Sequence, residues 1–63
     1  MKELNHNFKV GDRLYWLDEP TTLAGTIVGF TPKRDVLIDF VSGRELGIKP
    51  YPIKLAMGFI CKN

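Results

Sequence analysis

Leu23-Ala-Gly-Thr-Ile-Val-Gly-Phe30, Thr31-Pro-Lys-Arg-Asp35 and Val36-Leu-Ile-Asp-Phe-Val41 form the stretch whose reading decides the fold. Two runs rich in β-branched and aromatic residues flank five residues carrying Pro32 and Asp35, the pattern of a β-hairpin. The first strand of the pair is expected from about Ala24 to Thr31. Simple alternation puts Ala24, Thr26, Val28 and Phe30 on one face, with Gly25, Ile27 and Gly29 on the other. Two glycines around Ile27 imply a strongly bent strand where another backbone passes close, a device by which small barrels close. A phosphate-cradling role for these glycines is weak, because no helix follows them. The second strand, Val36 to Val41, is apolar on both faces except at Asp39, as a central strand requires.

Working outward, Phe8-Lys-Val-Gly-Asp-Arg-Leu-Tyr-Trp-Leu17 carries apolar residues at Phe8, Val10, Leu14 and Trp16, with a bend expected at Gly11-Asp12. A strand is expected over about Arg13 to Leu17, with Leu14 and Trp16 inward and Tyr15 the exposed aromatic. Asp18 to Leu23 reads as a loop stiffened by Pro20. Its adjacent acids, Asp18 and Glu19, read as a solvated rim and not as a catalytic carboxylate pair. After the central hairpin, Ser42-Gly43 is expected to turn into a strand over about Arg44 to Lys49. Leu46 and Ile48 would face one way, and Glu45, Gly47 and Lys49 the other. Pro50-Tyr51-Pro52 is expected to end that ladder, since both prolines lack an amide donor. Ile53-Lys-Leu55 reads as one 3₁₀ turn and Met57 to Cys61 as a short last strand.

Sixty-three residues make one domain near the lower size limit for an unaided core, with about 60% of the unfolded surface buried. Residues 1 to 7 read as a loose lead-in and residues 8 to 63 as the folded unit. Forty-four per cent of residues are hydrophobic and 25% charged, which excludes a disordered chain. The one cysteine, Cys61, rules out an internal disulfide and any cysteine-built metal centre. His6 has no His, Cys or acidic neighbour at ligand spacing and reads as a surface histidine, so no metal and no cofactor is expected. The segment that Met1 begins has no apolar core of a signal peptide, and no apolar run approaches the length that crosses a membrane; a cytoplasmic protein is expected. Nine basic against seven acidic residues give +2, which permits a nucleic-acid contact without requiring one.

Five short strands, a long central hairpin, a glycine-bent second strand and a single turn before the last strand resemble the SH3-like barrel. The expected fold class is therefore all-β, a small five-stranded SH3-like barrel with a short 3₁₀ turn before the last strand. Phe8-Lys-Val-Gly-Asp-Arg-Leu14 looks like the Val-Gly-Asp opening of KOW-like and Tudor-like members. That segment, Gly25-Thr-Ile-Val-Gly-Phe30 and Tyr51-Pro-Ile-Lys-Leu55 are also similar, in order and approximate spacing, to segments of the plasmid-encoded type II dihydrofolate reductases. Those are SH3-like barrels that assemble as tetramers around one pore. The resemblance implies the fold and a capacity for self-association. It does not carry the activity, because the family's pore depends on Gln-Ile-Tyr just before its Tyr-Pro, whereas this chain reads Gly47-Ile-Lys-Pro-Tyr51. The family's lysine two residues beyond Gly-Asp-Arg also gives way to Trp16.

With no catalytic constellation in view, the exposed residues are read for binding. Lys33, Arg34, Arg44, Lys49 and Lys54 all fall after residue 32, and on a closed barrel they would share a rim with Tyr15 and Tyr51. Cations interleaved with aromatic faces suit phosphate contact with base stacking, as in a KOW-like or Tudor-like nucleic-acid-binding accessory protein. Tyr15, Tyr51, Pro50 and Pro52, with the acidic Asp18-Glu19 loop, equally suit an extended peptide. The small charge excess favours the second. The expectation is a non-enzymatic binding or regulatory module engaging a protein partner through an aromatic and basic rim, with nucleic acid as the alternative. Homo-oligomerisation through open strand edges or the apolar Met57–Cys61 segment is a further expectation. A chain of this length with its own Met1 suits a bacterial, plasmid or phage accessory protein.

Overall fold

The computed structural model describes residues 8–62; the lead-in with His6, and Asn63, lie outside the described residues. Five strands and one helical turn follow in the order β1 (Arg13–Trp16), β2 (Glu19–Phe30), β3 (Val36–Phe40), β4 (Gly47–Tyr51), α1 (Ile53–Ala56) and β5 (Ile60–Lys62). They form one antiparallel sheet in the order β4-β3-β2-β1-β5. The protein is all-β, and the hairpin over residues 23–41 is its centre.

The opening Lys9-Val-Gly-Asp12 is a turn closed by the Asp12 amide donating to the Lys9 carbonyl at 3.0 Å. Gly11 occupies its third position at φ +97°, a conformation that favours glycine there. The Asp12 side chain is buried and its Oδ2 accepts from the Lys9 amide at 2.9 Å. The Gly11 amide and Asp12 carbonyl then bond the carbonyl and amide of Ile27, clamping this turn to β2.

β1 leads from that clamp with Leu14 fully buried, as its spacing implies, and ends at Trp16, leaving Leu17 exposed in the next turn. β2 begins at Glu19, paired with Trp16, and not at Ala24. The expected loop from Asp18 to Leu23 thus shrinks to a tight turn. Pro20 is tolerated there because the part of β2 before Gly25 has no β3 partner, so its missing donor leaves no ladder bond unmade. Along β2 the simple alternation fails: Gly29, not Val28, follows Ile27 in the register with β3, so Val28 is the extra residue of a bulge. The bulge turns Phe30 to the side of its partner Val36, away from the face it was expected to share with Thr26.

The hairpin tip is built by Thr31, whose Oγ1 accepts from the amides of Lys33 and Asp35 at 3.2 and 3.0 Å. The Arg34 amide donates to the Thr31 carbonyl, and Arg34 itself sits at φ +71°. A side chain with a Cβ is strained in this region by about 1 kcal/mol. Arg34→Gly removes that strain but adds unfolded-state entropy. We expect a net gain near ~0.5 kcal/mol, read as a rise of roughly 3 °C in the thermal midpoint.

β4 departs furthest from expectation. It spans Gly47–Tyr51, not Arg44–Lys49, and Pro50 stands within the ladder opposite Leu37. Proline fits because β4 is the sheet's edge, where alternate amides point away from the partner strand. Residues 41–46 form an irregular loop. Ile48, opposite Asp39, is 60% exposed on the outer face, while Lys49 stands opposite buried Ile38.

Where a single 3₁₀ turn was expected before the last strand, the chain makes the α-helical turn α1. Its Ala56 and Met57 amides reach the carbonyls of Pro52 and Ile53, an α spacing, flanked by i−3 bonds from Leu55, Gly58 and Phe59. β5 follows at Ile60–Lys62, later than expected, because Met57 and Gly58 close the helical turn. Among the described residues no ladder joins β4 to β5, the two edges. Side chains span that gap: Tyr51 on β4 and Phe59 beside β5 bring their ring centroids to 5.9 Å.

The core consists of Leu14, Ala24, Ile27, Val36, Ile38, Phe40 and Ala56. Burying each large member is worth about 1.5–3 kcal/mol. Phe8, Trp16, Tyr51 and Phe59 pack against it half-buried, and three of these four lead to the candidate site.

Candidate functional site

At the open gap between β4 and β5, four rings gather. Phe40 lies 6.3 Å from Trp16, 5.2 Å from Tyr51 and 5.9 Å from Phe59, and Trp16 lies 5.3 Å from Phe59. These separations fall within the favourable range for aromatic pairs. Phe40 is buried at the centre, while the other three keep part of their surface in solvent.

Two clefts adjoin over this cluster and share Trp16 and Tyr51 as walls. One, of about 510 Å³, runs under the 42–45 loop, with Arg44 and Glu45 on its rim. The other, of about 490 Å³, is lined by Leu17, Asp18, Leu55, Gly58 and Phe59 besides the shared pair. Both are in the size range of ligand pockets and are lined mainly by apolar and aromatic side chains, with a few charged groups.

Trp16 is held in place by chemistry that reaches across the fold. Its Nε1 donates to Ser42 Oγ at 2.8 Å, and that hydroxyl donates to the Leu23 carbonyl at 2.7 Å. A tight loop approach fixes the ring from the other side, since a Cβ on Gly43 would lie 2.8 Å from Trp16 Cζ2. The indole is thus a preorganised wall and not a mobile surface group.

The structure sorts the seven candidates read from the sequence. Tyr51 and Arg44 meet in the first cleft. Lys33 and Arg34 occupy the β2–β3 turn, Lys49 lies along β4 and Lys54 lies on α1; none of these four lines either cleft. Tyr15 lies on the outer face of β1, opposite in sense to Leu14, whereas Tyr51 pairs with Val36 on the core side. One rim therefore does not hold both tyrosines. The sequence reading missed Trp16, which was assigned to the core, together with Phe59, Ser42 and Glu45. The signal for Trp16 was its place at a strand end, where a core-facing ring has neighbours on one side only.

Asp12 and Cys61 make a separate polar pair, Sγ donating to Asp12 Oδ2 at 3.6 Å. Burial, then the nearby carboxylate and this hydrogen bond, raise the Cys61 thiol above its ordinary range. Such a thiol is a poor nucleophile at neutral pH. Among the described residues no three His, Cys, Asp or Glu side chains group as metal ligands. No described helix is long and apolar enough to cross a membrane.

No family model, curated protein or solved structure matches this chain.

Proposed function

We propose that the protein is a non-enzymatic, cytoplasmic binding module of SH3-like type that takes an extended peptide segment of a protein partner. The observation that carries the reading is the pair of adjoining clefts sharing Trp16 and Tyr51. Two successive apolar side chains of an extended chain would fill the two clefts, with the indole and phenol rings between them. Asp18 at one end favours a basic residue on the partner there; at the other end Arg44 and Glu45 offset one another. The SH3-like assignment is supported by five antiparallel strands, a bent β2 and the single turn before β5. Of the five cations on which the nucleic-acid alternative relied, Lys33, Arg34, Lys49 and Lys54 lie outside both clefts, and Arg44 lines the first.

The test is a pull-down from the source cell with a nuclease-treated control. A protein partner is expected that survives nuclease, is retained by Arg34→Glu and is lost with Tyr51→Ala. Trp16, the only tryptophan, lines both clefts and should change its fluorescence when that partner's peptide is added. Retention by Tyr51→Ala, or loss on nuclease treatment, overturns the reading. So does a tetramer that binds a reduced nicotinamide cofactor, which would restore the reductase resemblance.

A further inference from the structure

On the opposite side of the sheet from the aromatic clefts, two cations face each other directly. Arg13 on β1 and Lys62 on β5 are register partners, and both are exposed. Like charges directly opposite on neighbouring strands destabilise a sheet unless something compensates them. Among the described residues neither makes an ion pair or a side-chain hydrogen bond; the neighbouring Asp12 carboxylate is buried and bonds the Lys9 amide and the Cys61 thiol instead. Lys62 instead lays its Nζ 4.6 Å from the centroid of the Tyr15 ring. Such a contact is weak at an exposed site and is readily exchanged for a stronger anion. Gly11, Arg13, Tyr15 and Lys62 together line a cleft of about 360 Å³.

The nearest acid along the row is on the far side of β2. Arg13 pairs with Thr26, and Thr26 with Asp39, so Asp39 is two strands away, about 10 Å by strand spacing. That distance is about one Debye length at moderate salt, so Asp39 does not neutralise the pair.

We propose that Arg13 and Lys62 bind the phosphate of a nucleotide whose base lies against Tyr15. Two converging cations supply the charge and the fork geometry for phosphate oxygens. A tyrosine face beside them supplies a stacking surface that accepts any base. The cleft is larger than inorganic phosphate alone requires and lies at the small end of ligand pockets. The nucleotide can be free or one unit of a single strand; the recognising chemistry is the same.

The experiment uses the full chain, isotopically labelled, titrated with AMP, with inorganic phosphate and with a fluorescein-labelled deoxythymidine decamer. Amide shifts at Arg13, Tyr15 and Lys62 are expected with AMP or with the decamer. Shifts with AMP assign a free nucleotide; shifts with the decamer alone assign a strand. Neutralising two phosphates should weaken decamer binding roughly 25-fold per tenfold rise in salt. Arg13→Gln combined with Lys62→Gln should weaken it about tenfold and flatten that salt dependence, while Lys33→Gln changes neither. No shift at these residues with either nucleotide probe, shifts with inorganic phosphate equal to those with AMP, or unaltered binding by the double variant overturns the proposal. The shift mapping needs no variant, so a double variant that misfolds does not block the test. The site is separate from the peptide clefts, so either proposal can fail alone.

Discussion

Gly25→Ala is expected to destabilise the protein by about 3 kcal/mol, enough to leave much of a domain this small unfolded at 37 °C. A Cβ at this position would meet the Asp39 carbonyl oxygen at 2.6 Å and Ile38 Cγ2 at 2.8 Å. The first neighbour is backbone, held in the β2–β3 ladder where Gly25 pairs with Phe40, so it cannot swing aside. Relief would require β2 and β3 to separate at the centre of the sheet. Gly29 provides the control, because a Cβ there meets only Leu37 Cδ1 at an ordinary 3.5 Å. Gly29→Ala should stay within about 0.5 kcal/mol of the parent. Urea denaturation of the two variants checks both expectations. Equal stabilities would show that the strand approach at Gly25 is not the constraint described above.

The second large effect is expected at Phe40. It is 5% exposed, touches three other rings and anchors the wall shared by the two clefts. Phe40→Ala should cost about 3–5 kcal/mol, combining lost burial with the cavity left behind. The consequence reaches beyond stability. Trp16, Tyr51 and Phe59 would each lose their central neighbour, and with them the gap between β4 and β5 would lose its packing. Phe40→Leu keeps most of the volume and should cost less than about 1.5 kcal/mol. In that variant Trp16 emission should still respond to a bound peptide. Binding lost in Phe40→Leu without loss of stability would mean that the Phe40 ring itself contacts the ligand.

Much of the architecture was legible because strand periodicity is local. The hairpin of β2 and β3, the inward Leu14, the bend at Gly11-Asp12 and the turn before the last strand all follow from residues within a few positions of one another. The requirement for glycine at position 25 was legible too, as a place where a backbone passes close, though not which backbone. What misled were the prolines. Pro20 was read as stiffening a loop and Pro50 as ending a ladder, yet each stands in a strand segment with a free side. Whether a missing amide matters depends on what lies beside the strand, which is a property of the sheet. A bend or bulge in β2 was legible from its glycines, but its place at Val28 shows only in the register with β3.

The candidate site divides along the same line. Tyr51, within the proline segment, and Arg44, at the expected start of a strand, were both read as rim residues, and they do meet in a cleft. Trp16 and Phe59 were missed, because an apolar ring at strand period looks the same whether it ends in the core or at the core's open edge. Arg13 and Lys62 are 49 positions apart and become partners only when β5 docks on β1.

By itself, then, the sequence determined an all-β fold with no internal disulfide, because strand periodicity, turn chemistry and cysteine count act locally or by composition. The tertiary structure alone decided what becomes of the two ends of the hairpin over residues 23–41. Near Leu23, the Leu23 carbonyl takes the Ser42 hydroxyl that positions Trp16, while β2 brings β1, and through it β5, alongside β3. The tip with Lys33 and Arg34 lies outside the aromatic clefts. The physical reason is that a cleft belongs to surfaces brought together by long-range pairing, and no window of neighbouring residues contains it.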